Sequence, residues 1–201
     1  MKIALLIPMY NEEAVLPFLW QETQAVVQKL PQETFEYIFV NDGSTDGTLA
    51  QLKTLAGQHP NVKVISLSRN FGKEAALSAG LTEAAKADAV IILDADLQDP
   101  PDLILPFVQK FKEGFDVVYG QRADRSQDSF AKRLTARCFY KFYNALASRR
   151  LPENAGDCRL LSRRAAEAVL LLPERERFMK GLFNWVGFRT TGVPFTRQKR
   201  R

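Results

Sequence analysis

Five short apolar runs mark the first 120 residues, at 3–7, 37–41, 62–67, 89–93 and 117–119, and stretches of helical periodicity separate them. Such runs read as buried strands, and residues 11–29, 46–56, 73–85 and 101–111 fit the helices between them. A repeating βα pattern of this kind predicts a largely parallel sheet covered on both faces, with right-handed crossovers. No internal repeat, low-complexity tract or Pro/Gly-rich linker breaks the chain, so one domain is expected over residues 1–201.

Strand ends are where this pattern acquires chemistry. Pro8-Met9-Tyr10-Asn11-Glu12-Glu13 follows the first run, Asn41-Asp42-Gly43-Ser44-Thr45-Asp46 the second and Asp94-Ala95-Asp96-Leu97-Gln98-Asp99 the fourth. Each cluster has a local explanation: Asn11 fits a helix cap, Asp42 to Asp46 a turn with its cap, and Asp99-Pro100-Pro101 a helix start. Together they line one rim of a parallel sheet with carboxylates, whose repulsion needs a positive guest. Hard oxygen ligands at Asp94, Asp96 and Gln98 suit Mg2+ or Mn2+ carrying a substrate phosphate. The third run leads to Arg69-Asn70-Phe71-Gly72-Lys73. Here Gly72 permits a tight turn, and Lys73 opens a helix whose amide dipoles favour an anion. P-loop spacing and a G-x-G-x-x-G fingerprint are both missing, which argues against a P-loop ATPase or a dinucleotide dehydrogenase.

Composition changes the picture in three ways. Cys138, Cys158 and His59 are too few for a zinc site or a disulfide framework, and a reducing compartment is expected. The N-terminal apolar run ends at Pro8 without the features of a signal peptide, and no apolar stretch approaches the ~20 residues of a membrane span. A cytosolic domain is therefore expected. The net charge of +5 is concentrated after Arg122 and ends in Arg197-Gln198-Lys199-Arg200-Arg201, which suits an anionic partner (nucleic acid, lipid head groups or a phosphorylated substrate) or, equally, a solvated basic face. Within that third, residues 129–148 put Leu134, Cys138, Phe139, Phe142 and Leu146 on one helical face and Arg133, Arg137 and Lys141 on the other. That helix suits an anionic membrane surface or, equally, packing on the sheet.

The series Ile7-Pro8-Met9-Tyr10-Asn11-Glu12-Glu13, Val40-Asn41-Asp42-Gly43-Ser44-Thr45-Asp46, Arg69-Asn70-Phe71-Gly72-Lys73 and Asp94-Ala95-Asp96-Leu97-Gln98 resembles the family 2 glycosyltransferases. Within them it is similar to the polyprenyl-phosphate branch, which includes dolichol-phosphate mannosyltransferases and bactoprenol glucosyltransferases. Gly120-Gln121-Arg122 with Arg125 resembles that branch's basic acceptor loop, and Gly156-Asp157-Cys158-Arg159-Leu160 its acceptor-side segment, with Cys158 in place of Phe. The resemblance implies a GT-A α/β fold, a three-layer α/β/α sandwich on a mainly parallel mixed sheet. Residues 1–120 would form the nucleotide-sugar and metal half, and 121–201 the acceptor and membrane-facing half. It further implies a metal-dependent transfer from a UDP-sugar, or from GDP-mannose, to a polyprenyl phosphate at the cytosolic membrane face. Pro8, Tyr10, Glu12 and Asp42 would hold the base and ribose with Lys73 nearby, and Asp94, Asp96 and Gln98 the metal and diphosphate. Arg122 and Arg125 would grip the acceptor phosphate, with Asp157 as base or orienting carboxylate. Residues 174–188 resemble a second interface helix. Branch members usually continue into membrane helices beyond the equivalent of Arg197, so the chain reads as a shortened form of such a protein, the favoured reading, or as a soluble relative. Self-association stays open.

Three rival readings stand beside it. A nucleic-acid-binding module fits the basic C-terminal third, but acids on the rim would repel a phosphate backbone, so no nucleic acid is expected. A sugar nucleotidyltransferase would want a Gly-rich basic loop where Tyr10-Asn11-Glu12-Glu13 stands. A non-catalytic nucleotide-sugar-binding protein could share the fold.

Overall fold

The computed structural model describes residues 1–123, 155–174 and 177–198. Strands β1 (Lys2–Met9), β2 (Thr34–Asn41), β3 (Val62–Ser66) and β4 (Ala89–Ile92) alternate with helices α1 (Leu16–Val27), α2 (Thr48–Gln58) and α3 (Lys73–Ala84). A 3-10 turn at Pro101–Leu103 opens α4 (Ile104–Lys112), which leads to β5 (Val117–Arg122). Then come β6 (Ala155–Ser162), α5 (Arg163–Leu170), α6 (Met179–Trp185) and β7 (Thr190–Phe195). Among the described residues the sheet has seven strands in the order β3-β2-β1-β4-β6-β5-β7, mainly parallel, with β6 antiparallel to both neighbours.

Alternation along β1 explains the layers. Ile3, Leu5 and Ile7 join one core, with Leu16 and Leu19 of α1, Leu52 of α2 and Phe107 of α4. Ala4 and Leu6 join a second core on the other face, with Leu77 and Leu81 of α3, Val169 of α5 and Phe183 of α6. Because both faces are covered, residues 3–7 are wholly buried. At ~1.5–3 kcal/mol for each large apolar side chain, such burial far outweighs exposed ion pairs such as Lys29–Asp102. Helix α3 lies close to the sheet at Gly80, where a Cβ would stand 2.2 Å from Leu6 Cδ1 and 2.7 Å from Val40 Cγ2.

The first five expected strands are present, with β2 and β5 longer than their apolar runs. Strands β6 and β7 and helix α5 were not foreseen, because mixed polarity hides them. Residues 179–185 form a helix inside the expected segment 174–188. Residues 129–148, like Arg125 and Arg175, lie outside the described residues.

Candidate active site

Side chains lace the first two rim loops together. Asn11 does not cap α1, which starts at Leu16; its backbone is left-handed (φ 53°) and its Oδ1 accepts from Thr45 N at 2.8 Å. In the other direction Ser44 Oγ, Thr48 Oγ1 and Asp46 Oδ2 accept from the amides of Asn11, Glu12 and Glu13 at 3.1, 2.9 and 3.2 Å. Glu13 Oε2 accepts from Gly47 N. Asp42 brings in the third loop: its two carboxylate oxygens accept from Phe71 N at 2.8 Å and Gly72 N at 2.9 Å. Gly43 permits that approach, because its φ is 65° and a Cβ there would stand 2.2 Å from Arg69 C. Three separate loops thus form one floor.

That floor belongs to a cavity of about 400 Å3 lined by Pro8, Tyr10, Glu12, Asp42, Lys73, Asp94 and Asp96, with Asn70 and Gly72 between them. All the residues expected around the nucleotide are therefore brought together. Gln98 is not in the lining; its amide donates to Asp96 Oδ1 at 3.0 Å, and its carbonyl accepts from Gln198 N at 2.9 Å. Between them Leu97 is buried with φ 55°, a conformation costing an L-residue ~1 kcal/mol or more, which turns the chain between the two polar residues.

The antiparallel strand brings a further carboxylate to Lys73. Strands β4 and β6 pair Ala89 with Ser162 through Ile92 with Arg159; Asp94 lies two residues past that ladder on one segment and Asp157 two residues before it on the other. Lys73 Nζ lies 2.5 Å from Asp94 Oδ1 and 3.5 Å from Asp157 Oδ2, and Lys180 Nζ lies 2.7 Å from Asp157 Oδ1. Asp157 pairs with these lysines, whereas Arg163 pairs with Asp88 and Arg159 donates to the Gly156 carbonyl.

Burial sets the electrostatics here, and charges then sort the acids. Asp94 is pushed above the usual carboxylate range by burial, opposed by Lys73 and reinforced by Asp157. Burial also raises Asp157, but Lys73 and Lys180 outweigh it and hold that carboxyl well below its ordinary value. Asp99 is raised by burial, while the Cys158 amide and then Arg122 pull the other way. The thiol of Cys158 is fully buried and pushed up by that burial, which suits an apolar packing role rather than a nucleophile.

The Glycosyl transferase family 2 model matches residues 4–170. The chain belongs to glycosyl transferase family 2. An uncharacterized glycosyltransferase of Synechocystis sp. is 48% identical to this family 2 domain over 199 residues, 99% of the chain and 62% of the relative. A bactoprenol glucosyl transferase of Shigella phage SfV is 44% identical over 200 residues, 100% of the chain and 64% of that protein. The chain thus spans less than two thirds of the length of these relatives. Among solved structures, a mannosyltransferase from Pyrobaculum calidifontis in complex with GDP-Man and Mn2+ aligns with a TM-score of 0.65 at 20% identity, covering 96% of this chain and 54% of that one. The family 2 domain therefore has the GT-A fold that its motifs implied.

Two site residues escaped sequence reasoning. Asp99 looked like the start of a helix, yet it is buried and its Oδ2 accepts from Cys158 N at 3.3 Å. Lys180 looked like part of a basic surface helix; only the register of β6, invisible in the sequence, brings Asp157 to it. Arg122 ends β5 with its Nε buried and, among the described residues, without a hydrogen-bond partner, beside Asp99.

Proposed function

We propose that this family 2 domain transfers a sugar from a nucleoside diphosphate sugar, UDP-glucose being the favoured donor, to a polyprenyl phosphate at the cytosolic face of a membrane. The observation that carries the reading is the cavity that the nucleotide motifs floor, which Asp94 and Asp96 line and whose Lys73 joins Asp94 to Asp157 of β6. Among the described residues no group of three acidic, histidine or cysteine side chains has the spacing to hold a metal alone. Asp94 and Asp96 at the cavity wall nonetheless offer hard oxygens, and an ammonium already rests on Asp94 where positive charge is wanted. That donor set fits Mg2+ or Mn2+ arriving with a diphosphate that completes its shell. When bound, such an ion neutralises charge on the leaving nucleoside diphosphate.

The chain's own residues do the rest. Tyr10, half exposed at the cavity edge, offers a ring to the base, with Pro8, Glu12 and Asp42 around base and ribose. Arg122, joined by Arg125, holds the acceptor phosphate; that group is already anionic and needs orientation more than deprotonation. Asp157, kept ionised by its two lysines, fits the orienting role better than that of a proton acceptor. The relatives support the acceptor, since a bactoprenol glucosyl transferase matches over the whole chain. The test is transfer of labelled glucose from UDP-glucose to undecaprenyl phosphate in detergent with Mn2+. Product that EDTA abolishes is expected; no lipid-linked product from UDP-glucose or GDP-mannose would overturn the reading.

A further inference from the structure

Asp94, just past β4, and Asp157 of β6 come close enough to share one ammonium, and two carboxylates so near each other are unfavourable unless something positive lies between them. Lys73 Nζ is that charge, 2.5 Å from Asp94 and 3.5 Å from Asp157. Its placement is built in. Lys73 is the first residue of α3, Gly72 turns the chain ahead of it with φ 94°, and Asp42 pins the Phe71 and Gly72 amides. The next residue, Glu74, accepts from the amide of Met179 at 3.1 Å, and Lys180 beside Met179 grips the other oxygen of Asp157. Lys73 also lines the cavity, within reach of any anion that enters it.

We propose that Lys73 is a place-holding cation: its ammonium rests on Asp94 and Asp157 until a metal–nucleoside diphosphate enters, then moves to the diphosphate and frees Asp94 for the metal. The inference rests on the metal-dependent reading above and deepens it. A divalent ion alone must displace the ammonium and leave it beside a second positive charge. An ion arriving with a diphosphate gives the ammonium a new partner. Metal and nucleotide therefore bind cooperatively, and Lys73 is the positioning residue that couples them.

Mn2+ titrations followed by electron paramagnetic resonance, with and without saturating UDP, test this on the wild-type chain and on Lys73→Met and Lys73→Arg. In the wild type UDP should tighten Mn2+ about tenfold or more. Lys73→Met should bind Mn2+ alone at least about threefold more tightly than wild type, and the gain from UDP should shrink below about threefold. Lys73→Arg should keep the coupling. Lys73→Gln makes the same comparison if the methionine variant loses its circular dichroism signature. A Lys73→Met chain with unchanged or weaker Mn2+ affinity and intact coupling would overturn the place-holder alone. A wild-type chain that takes up no Mn2+ even with UDP would overturn the metal reading and the place-holder with it.

Discussion

On the proposed reading, Asp96 and Arg122 would separate donor from acceptor chemistry at single positions. Asp96 lines the cavity and its Oδ1 accepts from the Gln98 amide, so its carboxylate contributes to the loop as well as to any ion. Asp96→Ala should abolish the metal-dependent part of UDP affinity, a loss of at least about tenfold in calorimetry, with little change in thermal midpoint because no core contact goes. Equal UDP affinity with EDTA and with Mn2+ in the wild type would refute this. Arg122→Lys keeps the charge but loses the planar fork. Its transfer rate to undecaprenyl phosphate should fall about tenfold or more while UDP affinity stays within about twofold. Normal transfer by that variant would remove Arg122 from the acceptor site.

The parallel half of the sheet was legible because apolar runs of four to eight residues have few other uses. Its rim was legible too, since Pro8 lies near the end of β1 and Tyr10, Glu12, Asp42, Lys73, Asp94 and Asp96 follow strands that end at one edge. Strand β6 was not. It reads Ala-Gly-Asp-Cys-Arg-Leu-Leu-Ser, and its polar residues are sheltered by partners distant in sequence. One of these contacts also sets acid stability. Asp116 sits at the β5 end of a buried network in which Ser162 Oγ donates to it at 2.9 Å and Arg164 grips both of its oxygens. The Arg164 guanidinium holds its carboxyl below the usual carboxylate range, against burial that would raise it. A depressed folded pKa means the stabilisation is complete above the unfolded value and is lost as pH falls through the folded one. Urea midpoints should therefore fall below about pH 4. Asp116→Asn should be less stable than wild type at pH 7 yet lose less stability between pH 5 and pH 3; parallel curves would sink the assignment.

Over the whole sequence, positive charge gathers beyond β5. Phe178, Leu171 and Trp185 are exposed around α5 and α6, the last two by more than half. No helix among the described residues is long and apolar enough to cross a membrane. On the reading of residues 129–148 as membrane-facing, attachment through them and the terminal basic cluster should be reversible, at ~1 kcal/mol for each basic residue near an anionic surface before screening. Co-sedimentation with phosphatidylglycerol vesicles should exceed that with neutral vesicles and weaken steeply between low and physiological salt. Phe139→Ser with Phe142→Ser should reduce it without loss of helical signal. Equal binding to neutral vesicles at low salt would assign residues 129–148 to packing or to a partner.

The bond from Gln198 N to the Gln98 carbonyl joins the stretch after β7 to the turn that holds Asp96. A displacement of the chain at Gln198 would reach, through this one peptide group, the turn that carries Asp96. The Gln198 amide is then a built-in gauge of loop order. Its hydrogen exchange should slow when Mn2+ and UDP are added together; an unchanged rate would show that the loop and the exit move independently.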